Sequence, residues 1–166
     1  MLTLVLSAVL VGVLGTSASA ACDTAWGTHV VARVGSSNGQ VERLHTERQT
    51  CYDELVIEVD GSGFSYLVGY VDEVEQVASG KPISLRGGAK LQIDVRADAA
   101  PGFPSGSSEL ADVGGYTAFR QVAGAGSFEA HTRIGLGVRE VLPFRVRTFP
   151  RDGGGELLVV DVAHTG

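Results

Sequence analysis

Hydrophobic and polar residues alternate with a period of two in several short stretches of the chain. Between Lys90 and Arg96, for example, Leu91, Ile93 and Val95 alternate with polar side chains. This is the pattern of a β-strand that turns one face to a core and the other to solvent. The other candidate strands are residues 29–34, 54–59, 64–71, 83–85, 116–122, 128–136, 142–147 and 157–162. The pattern therefore predicts about nine short strands.

Turn sequences rich in glycine separate these candidate strands. Gly, Asn and Asp adopt the backbone angles of tight turns, and they cluster at residues 37–39, 60–63, 87–88, 124–126 and 152–155. No stretch repeats apolar residues with helical spacing over three turns, although residues 70–78 have room for one helical turn. We therefore expect an all-β fold, either a sandwich or a barrel of mainly antiparallel strands.

Residues 97–115 form the one long stretch without alternation. It contains Pro101, Pro104 and three serines. We expect a surface loop, leave its mobility open, and keep it as a candidate contact for a partner protein.

The N-terminal segment has the pattern of a signal peptide. Residues 1–20 contain no charged side chain, and residues 2–14 are almost entirely apolar. That apolar run is too short to span a membrane, and Ala18-Ser19-Ala20 fits the small-x-small rule for cleavage. We expect cleavage after Ala20, no membrane span afterwards, and a mature domain of residues 21–166. No basic residue precedes the apolar run, which leaves the true start of the chain open.

Composition bounds the class of protein further. The chain has 166 residues, of which 44% are hydrophobic and 19% charged. This is enough for one domain with a folded core. The formal net charge is −6, which argues against a partner such as nucleic acid or an acidic membrane surface.

Cys22 and Cys51 are the two cysteines of the chain. In an exported protein an even pair favours a disulfide, which here would tether the N-terminal segment. Lipidation of Cys22 is the alternative, although Ser19 stands where a large aliphatic residue is expected. A metal or redox role lacks neighbouring ligands or a Cys-x-x-Cys spacing.

No motif for catalysis or for a cofactor stands out. Gly61-Ser62-Gly63-Phe64 and Gly106-Ser107-Ser108 do not have the Gly-x-Ser-x-Gly spacing of a hydrolase elbow, and the phosphate loop and the dinucleotide fingerprint are absent from the sequence. Its four histidines are scattered and do not have the spacing of a metal site. We therefore expect no metal and no cofactor, and we name no catalytic residue.

An aromatic row provides the first candidate for ligand binding. Phe64, Tyr66, Val68 and Tyr70 share one face of a candidate strand. The row either packs in the core, which we favour, or forms a platform on which a sugar stacks through Tyr66 and Tyr70.

Three arginines provide the second candidate. Arg145 and Arg147 lie on the strand face opposite Phe144 and Val146, and with Arg133 they would form a basic strip that binds an anionic polymer. Pairing with acidic residues on neighbouring strands is the alternative, and the favoured one.

Several short motifs together resemble one known family. They are Cys22 with Trp26-Gly27, Cys51-Tyr52-Asp53, Gly69-Tyr70-Val71, Gly87-Gly88-Ala89 before Leu91, Tyr116 with Phe119-Arg120, Ser127-Phe128-Glu129, Gly135-Leu136-Gly137, Pro143-Phe144-Arg145-Val146 and Val160-Asp161-Val162-Ala163-His164. The mature chain resembles, over nearly all its length, the AMIN-like domains of exported actinobacterial proteins. These are distantly related to the amidase N-terminal domain of cell-wall hydrolases. The sequence departs from the family at Glu54, where Arg is usual, and at Ala130, where Gly is frequent.

The resemblance implies a β-sandwich located outside the cytoplasmic membrane, and it implies no catalysis. The leading hypothesis is an exported, non-catalytic domain that binds peptidoglycan or an attached glycan at the cell envelope. A secreted interaction module or inhibitor acting through residues 97–115 is the alternative. A glycan hydrolase that uses carboxylates such as Asp53 or Glu129 is a third hypothesis. The sequence does not indicate an oligomeric state.

Overall fold

The computed structural model describes residues 22–36 and 39–166, and the expected signal peptide lies outside the described residues. Within those ranges the protein is all-β and contains no helix, so none can span a membrane. The ten strands are β1 (Val31–Arg33), β2 (Gln40–Arg48), β3 (Tyr52–Val59), β4 (Tyr66–Val71), β5 (Ala89–Val95), β6 (Asp98–Ala99), β7 (Phe119–Ser127), β8 (Thr132–Val138), β9 (Phe144–Pro150) and β10 (Glu156–Ala163).

The strands form two five-stranded sheets that enclose one core. The first sheet has the order β1-β4-β5-β8-β7 and the second the order β6-β2-β3-β10-β9. Every pairing is antiparallel except the short one between β2 and β6. The expected β-sandwich of mainly antiparallel strands is confirmed.

The core is built from the inward positions of both sheets. Ile57 of the second sheet and Ile93 of the first are fully buried, as are the rings of Phe64 and Phe119. Phe144 is 2% exposed and contacts Tyr70 of the opposite sheet edge-on, with 5.7 Å between the ring centroids. The period-two pattern therefore identified the buried faces correctly.

Several elements differ from the expectation, and the turn expected at residues 124–126 is part of strand β7. Residues 40–48 form the nine-residue strand β2, which the pattern missed because a bulge between Val41 and Arg43 interrupts its alternation. Residues 83–85 were expected to form a strand, but they belong to a crossing segment, residues 72–88, that lies on the outer face of the first sheet. Residues 77–79 of this segment make a turn and not a helix.

The crossing segment buries a second, smaller apolar cluster. Val74 and Leu85 pack there against Ala123 and Ala125 of β7. Glycines of β8 make the close approach possible, since a Cβ at Gly135 would lie 2.7 Å from the Leu85 side chain. The outer face of the first sheet is thus partly covered by the chain itself.

The stretch 97–115 is more closely packed than a free surface loop. It hydrogen-bonds along the edge of β7, where Gly124 N–H donates to Ser107 O over 2.8 Å and Leu110 N–H to Val122 O over 2.7 Å. Val113 is 5% exposed. The stretch therefore covers a sheet edge that would otherwise be unpaired.

The expected disulfide joins Cys22 to Cys51, with 5.5 Å between the Cα atoms. It fixes the N-terminal segment beside the start of β3. Because the Cys22 sulfur is bonded to Cys51, the structure does not leave that thiol for a lipid.

Candidate functional site

The outer face of the second sheet carries the densest group of polar side chains. Leu158 and Val160 of β10 and Phe144 and Val146 of β9 contribute to the core. Because side chains alternate along a strand, Asp161 of β10 lies on the opposite, outer face. Arg145 and Arg147 of β9 and Glu54 of β3 share that face with it.

Asp161 is the centre of this group, and its side chain is fully buried. Its Oδ2 atom accepts hydrogen bonds from Arg145 Nε over 2.6 Å and Arg147 Nε over 3.0 Å, and lies 2.7 Å from Arg147 Nη2. Arg147 Nη2 also donates to Glu54 Oε2 over 2.9 Å. The cross-strand register brings these residues together, since Asp161 lies opposite both Glu54 and Arg145.

Glu54 is the fourth member of this group, and its carboxyl group interacts with the carboxylate of Asp161. Burial raises the pKa of Glu54 above its ordinary value, and its interaction with Asp161 raises it further, while Arg147 opposes the change. The Oδ1 atom of Asp161 is buried and has no hydrogen-bond partner among the described residues. A proton on Glu54 would supply a donor to Asp161.

Aromatic rings surround the two guanidinium groups. The Arg145 guanidinium carbon lies 4.2 Å from the Trp26 ring centroid and 5.2 Å from that of Tyr52. Trp26 and Tyr52 meet edge-on with centroids 5.5 Å apart. Phe149 flanks Arg147, with 5.1 Å between its centroid and the guanidinium carbon. We call the set Trp26, Tyr52, Glu54, Arg145, Arg147, Phe149 and Asp161 the arginine platform.

The N-terminal segment reaches the platform through two attachments. The disulfide connects Cys22 to the residue before Tyr52. A bridge pairs Gly27 with Phe144, whose N–H donates to Gly27 O over 2.9 Å. Both attachments flank Trp26 in the sequence, so they fix its ring beside Arg145.

The structure separates the five residues expected to bind ligand. Arg145 and Arg147 lie together on the arginine platform. Arg133 lies on the first sheet, where its Nε donates to Asp94 Oδ1 over 2.6 Å and its Nη1 to Glu75 O over 2.9 Å. The three arginines therefore do not form a single basic strip, and each has an acidic partner, as the favoured interpretation predicted.

The two tyrosines of the aromatic row face inward and pack against the core. The Tyr70 hydroxyl donates to Leu142 O over 2.8 Å and accepts from Leu142 N–H over 3.0 Å, and burial raises its pKa. The guanidinium carbon of Arg33 lies 5.1 Å from the Tyr66 ring centroid. Arg33 also pairs bidentately with Glu156 of the second sheet, over 2.8 and 2.7 Å. Both tyrosines thus pack against the core, as the favoured interpretation expected, and their binding of a ligand stays a prediction.

The carboxylates considered for hydrolysis lie in different environments. Asp53 is fully buried and accepts hydrogen bonds from the backbone amides of Ala118 and Phe119 over 2.6 and 3.0 Å. Its other oxygen lies 2.9 Å from His164 Nε2. Glu129 is exposed in the turn between β7 and β8. Asp53 therefore connects the ends of strands and is out of reach of a glycan.

The sequence analysis did not assign Trp26, Tyr52, Glu54 or Asp161 to a site. Three of them, Trp26, Tyr52 and Asp161, stand in the motifs that carry the family resemblance. Within the residues that the structure describes, no group of three or more His, Cys, Asp or Glu side chains is placed to hold a metal ion.

Comparison with protein families gives one match. Residues 39–164 match the family model described as the AMIN-like domain. The matched region includes Tyr52, Glu54, Arg145, Arg147, Phe149 and Asp161, whereas Trp26 precedes it. Neither the curated proteins nor the solved structures contain a match to the chain.

Proposed function

The chain belongs to the AMIN-like domain family, and on that premise we propose that it is an exported, non-catalytic domain that binds peptidoglycan or an attached glycan at the cell envelope. The family match over residues 39–164 is the observation that carries the proposal, because AMIN-like domains are generally non-catalytic binding domains associated with peptidoglycan.

The disulfide supports the location. A bond between Cys22 and Cys51 persists in an oxidising compartment and is rare in the cytoplasm. The expected signal peptide and cleavage after Ala20 would bring the chain to such a compartment. Mass spectrometry of the protein recovered from an exporting host tests this step, and an N-terminus at Ala21 is the expected result.

The outer face of the second sheet supports the binding role. Its polar side chains lie beside the half-buried rings of Trp26 and Tyr52 and the exposed ring of Phe149. A glycan is recognised through hydrogen bonds to its hydroxyl and amide groups and through apolar contact of its rings with aromatic side chains.

Co-sedimentation with purified cell-wall sacculi tests the proposal. We expect the oxidised, exported protein to sediment with sacculi saturably at low and at moderate salt. Since the protein carries a formal charge of −6, retention at moderate salt is not general attraction to acidic wall polymers. Digestion of the sacculi to soluble fragments is the control and should abolish sedimentation. No retention at either salt concentration would contradict the proposal.

A secreted interaction module or inhibitor is the alternative function. The observation that favours it is an open cleft of about 280 Å³ between β2 and the 97–115 stretch, lined by Leu44, Phe103 and Leu110 among others. Because the stretch also covers the edge of β7, deletion would disturb the fold, and Phe103→Glu is the better variant. This alternative requires a partner that binds the unaltered protein stoichiometrically and loses the variant.

A further inference from the structure

We propose that Arg145 is the anion-binding centre of the arginine platform and that its ligand is a carboxylate carried by a cell-wall saccharide. This inference rests on the proposed function and deepens it, because it assigns the ligand group and the side chain that recognises it.

Arg145 has N–H groups that make no hydrogen bond among the described residues. It donates Nε to Asp161, and neither of its terminal nitrogens donates to an acceptor among the described residues. Arg33, Arg133 and Arg147, by contrast, each use at least one terminal nitrogen within the protein. The four N–H groups on the two terminal nitrogens of a guanidinium form a planar fork that binds a carboxylate through two parallel hydrogen bonds. The side chain of Arg145 is 36% exposed, so a ligand can reach it.

The surroundings of Arg145 fix it in place. The Asp161 carboxylate orients Nε, and the rings of Trp26 and Tyr52 limit the positions that the guanidinium can take. The positive charge and the terminal N–H groups of the guanidinium are therefore held in one position, in which they complement an anion.

Aromatic side chains accompany this charge along β9. Trp26 and Tyr52 flank Arg145, and Phe149, which is 40% exposed, lies four residues further along the strand. Four residues of strand span roughly 13 Å at about 3.3 Å per residue. Apolar rings on both sides of the arginines suit a saccharide chain that bears a carboxylate better than a small free anion.

Trp26 provides a direct readout because it is the only tryptophan in the chain and contacts Arg145. Titration of the exported, disulfide-bonded protein with glucuronic acid, a saccharide with a free carboxylate, should change the Trp26 fluorescence saturably. Glucose is the matched probe, since it has the same ring with a hydroxymethyl group in place of the carboxylate. We expect it to bind about tenfold more weakly or worse, which corresponds to at least roughly 1.4 kcal/mol.

Arg145→Gln tests the side chain, and Arg43→Gln is its matched control. Arg43 lies on β2 of the same sheet, its side chain is 69% exposed, and it pairs with Glu58. We expect Arg145→Gln to lose the response to glucuronic acid and to sediment less with sacculi that retain their uronic-acid polymers, and Arg43→Gln to retain both. Arg145→Lys keeps the charge without the planar fork and should bind more weakly than the unaltered protein. Thermal unfolding of each variant checks that it is folded.

The outcomes separate this inference from the proposed function. If the unaltered protein binds sacculi that retain their uronic-acid polymers and folded Arg145→Gln binds them equally well, the inference is overturned and the proposed function stands. If the unaltered protein binds neither sacculi nor glucuronic acid, both fail. Equal binding of glycerol phosphate and glucuronic acid would overturn the assignment of a carboxylate. Loss of binding to these sacculi and to glucuronic acid in Arg145→Gln, but not in Arg43→Gln, would support it.

Discussion

The two outer faces of the sandwich are built in opposite ways. On the first sheet, glycine and alanine of β7 and β8 allow the crossing segment to lie directly on the strands, and Val74 is fully buried there. On the second sheet, Val56 and Val159 are 5% and 4% exposed although they face outward, beside the long charged side chains of β3, β9 and β2. The side chains of Arg43 and His45 on that face are 69% and 48% exposed.

The difference shows two ways in which a sheet protects its outer side from water. A covered face needs small residues, because backbone must approach backbone, and it then offers little surface to a ligand. An open face uses the aliphatic stems of charged residues for cover and keeps their polar ends at the surface. Recognition of a ligand is therefore expected on the second sheet, where the arginine platform lies.

Removing the disulfide should give the largest loss of stability among the variants considered. It should also release the N-terminal segment that holds Trp26 on the open face. The bond joins residues 29 positions apart, and for a loop of this size the chain-entropy relation gives about 3 to 4 kcal/mol of stabilisation. We expect the double variant Cys22→Ser/Cys51→Ser to lose about this much in urea unfolding. Trp26 fluorescence should shift to the red as its ring moves into water. Reduction of the unaltered protein is the control, and an unchanged spectrum there would show that Gly27 and Phe144 alone position the ring.

Gly137→Ala should destabilise the packing of the crossing segment on the covered face. A Cβ at Gly137 would lie 2.0 Å from the carbonyl oxygen of Arg86, so the crossing segment must move. We expect a loss of about 2 to 3 kcal/mol in the free energy of unfolding. Gly106→Ala is the control, because nothing lies within 4 Å of its Cβ position. Equal unfolding midpoints for the two variants would contradict the close contact.

Asp161→Asn should weaken the open face. The change keeps the size of the side chain but removes the charge that both arginines share. We expect a loss of about 2 kcal/mol, less than the roughly 3 to 5 kcal/mol of a fully buried pair, because the side chains of Arg145 and Arg147 are 36% and 32% exposed. Asp152→Asn in the exposed turn before β10 is the control for urea unfolding. A loss as small as that of the control would mean that Glu54 replaces Asp161 as the acidic partner.

The pH dependence of stability should distinguish the open face from the junction between the sheets, where Arg33 of the first sheet pairs with Glu156 of the second. At the junction, Arg33 lowers the pKa of Glu156 from 4.5 to about 2. The ionised form is favoured by folding, so this contribution is present above pH 4.5 and is lost as pH falls towards 2. We expect about 1 to 2 kcal/mol, since the partly exposed Arg33 is screened by solvent. Unfolding of Glu156→Gln measured at several pH values should show a smaller loss on acidification.

Glu54 should show the opposite sign. Its raised pKa means that folding favours the protonated form, so its contribution is present at low pH and is lost as pH rises through the raised pKa. The unaltered protein should therefore lose stability as the pH rises above the ordinary pKa of a glutamate, and Glu54→Gln should not show this loss. The same dependence in both proteins would argue against the shared proton with Asp161.

Ala130→Gly should give the smallest effect and provides a reference outside both faces. Ala130 lies in the β7–β8 turn with φ +58°, in the left-handed region that disfavours a side chain. Glycine relieves the strain, and we expect a gain of about 1 kcal/mol. Ala25→Gly, at an exposed alanine, is the control and should not stabilise. A loss of thermal stability in Ala130→Gly would contradict the assigned turn.

The same turn shows how sequence and structure complement each other. The resemblance described in the sequence analysis marked Ala130 as a departure from the expected pattern but gave no reason. The reason is the positive φ, which depends on how the hairpin closes between Phe128 and His131, whose backbone groups exchange hydrogen bonds over 2.9 and 3.1 Å. Strand β2 illustrates the converse, because its bulge removed the periodicity from which a strand is recognised.

The sequence by itself determined the all-β class, most strands with their buried sides, and the pairing of Cys22 with Cys51. These properties follow from local alternation and from the cysteine count. Only the tertiary structure decided that Asp161 joins Arg145 to Arg147 and Glu54, that Arg133 lies on the other sheet, and that residues 72–88 cover one face. Strand order and register set these contacts, and they depend on the packing of residues far apart in the chain, which a pattern of period two does not encode.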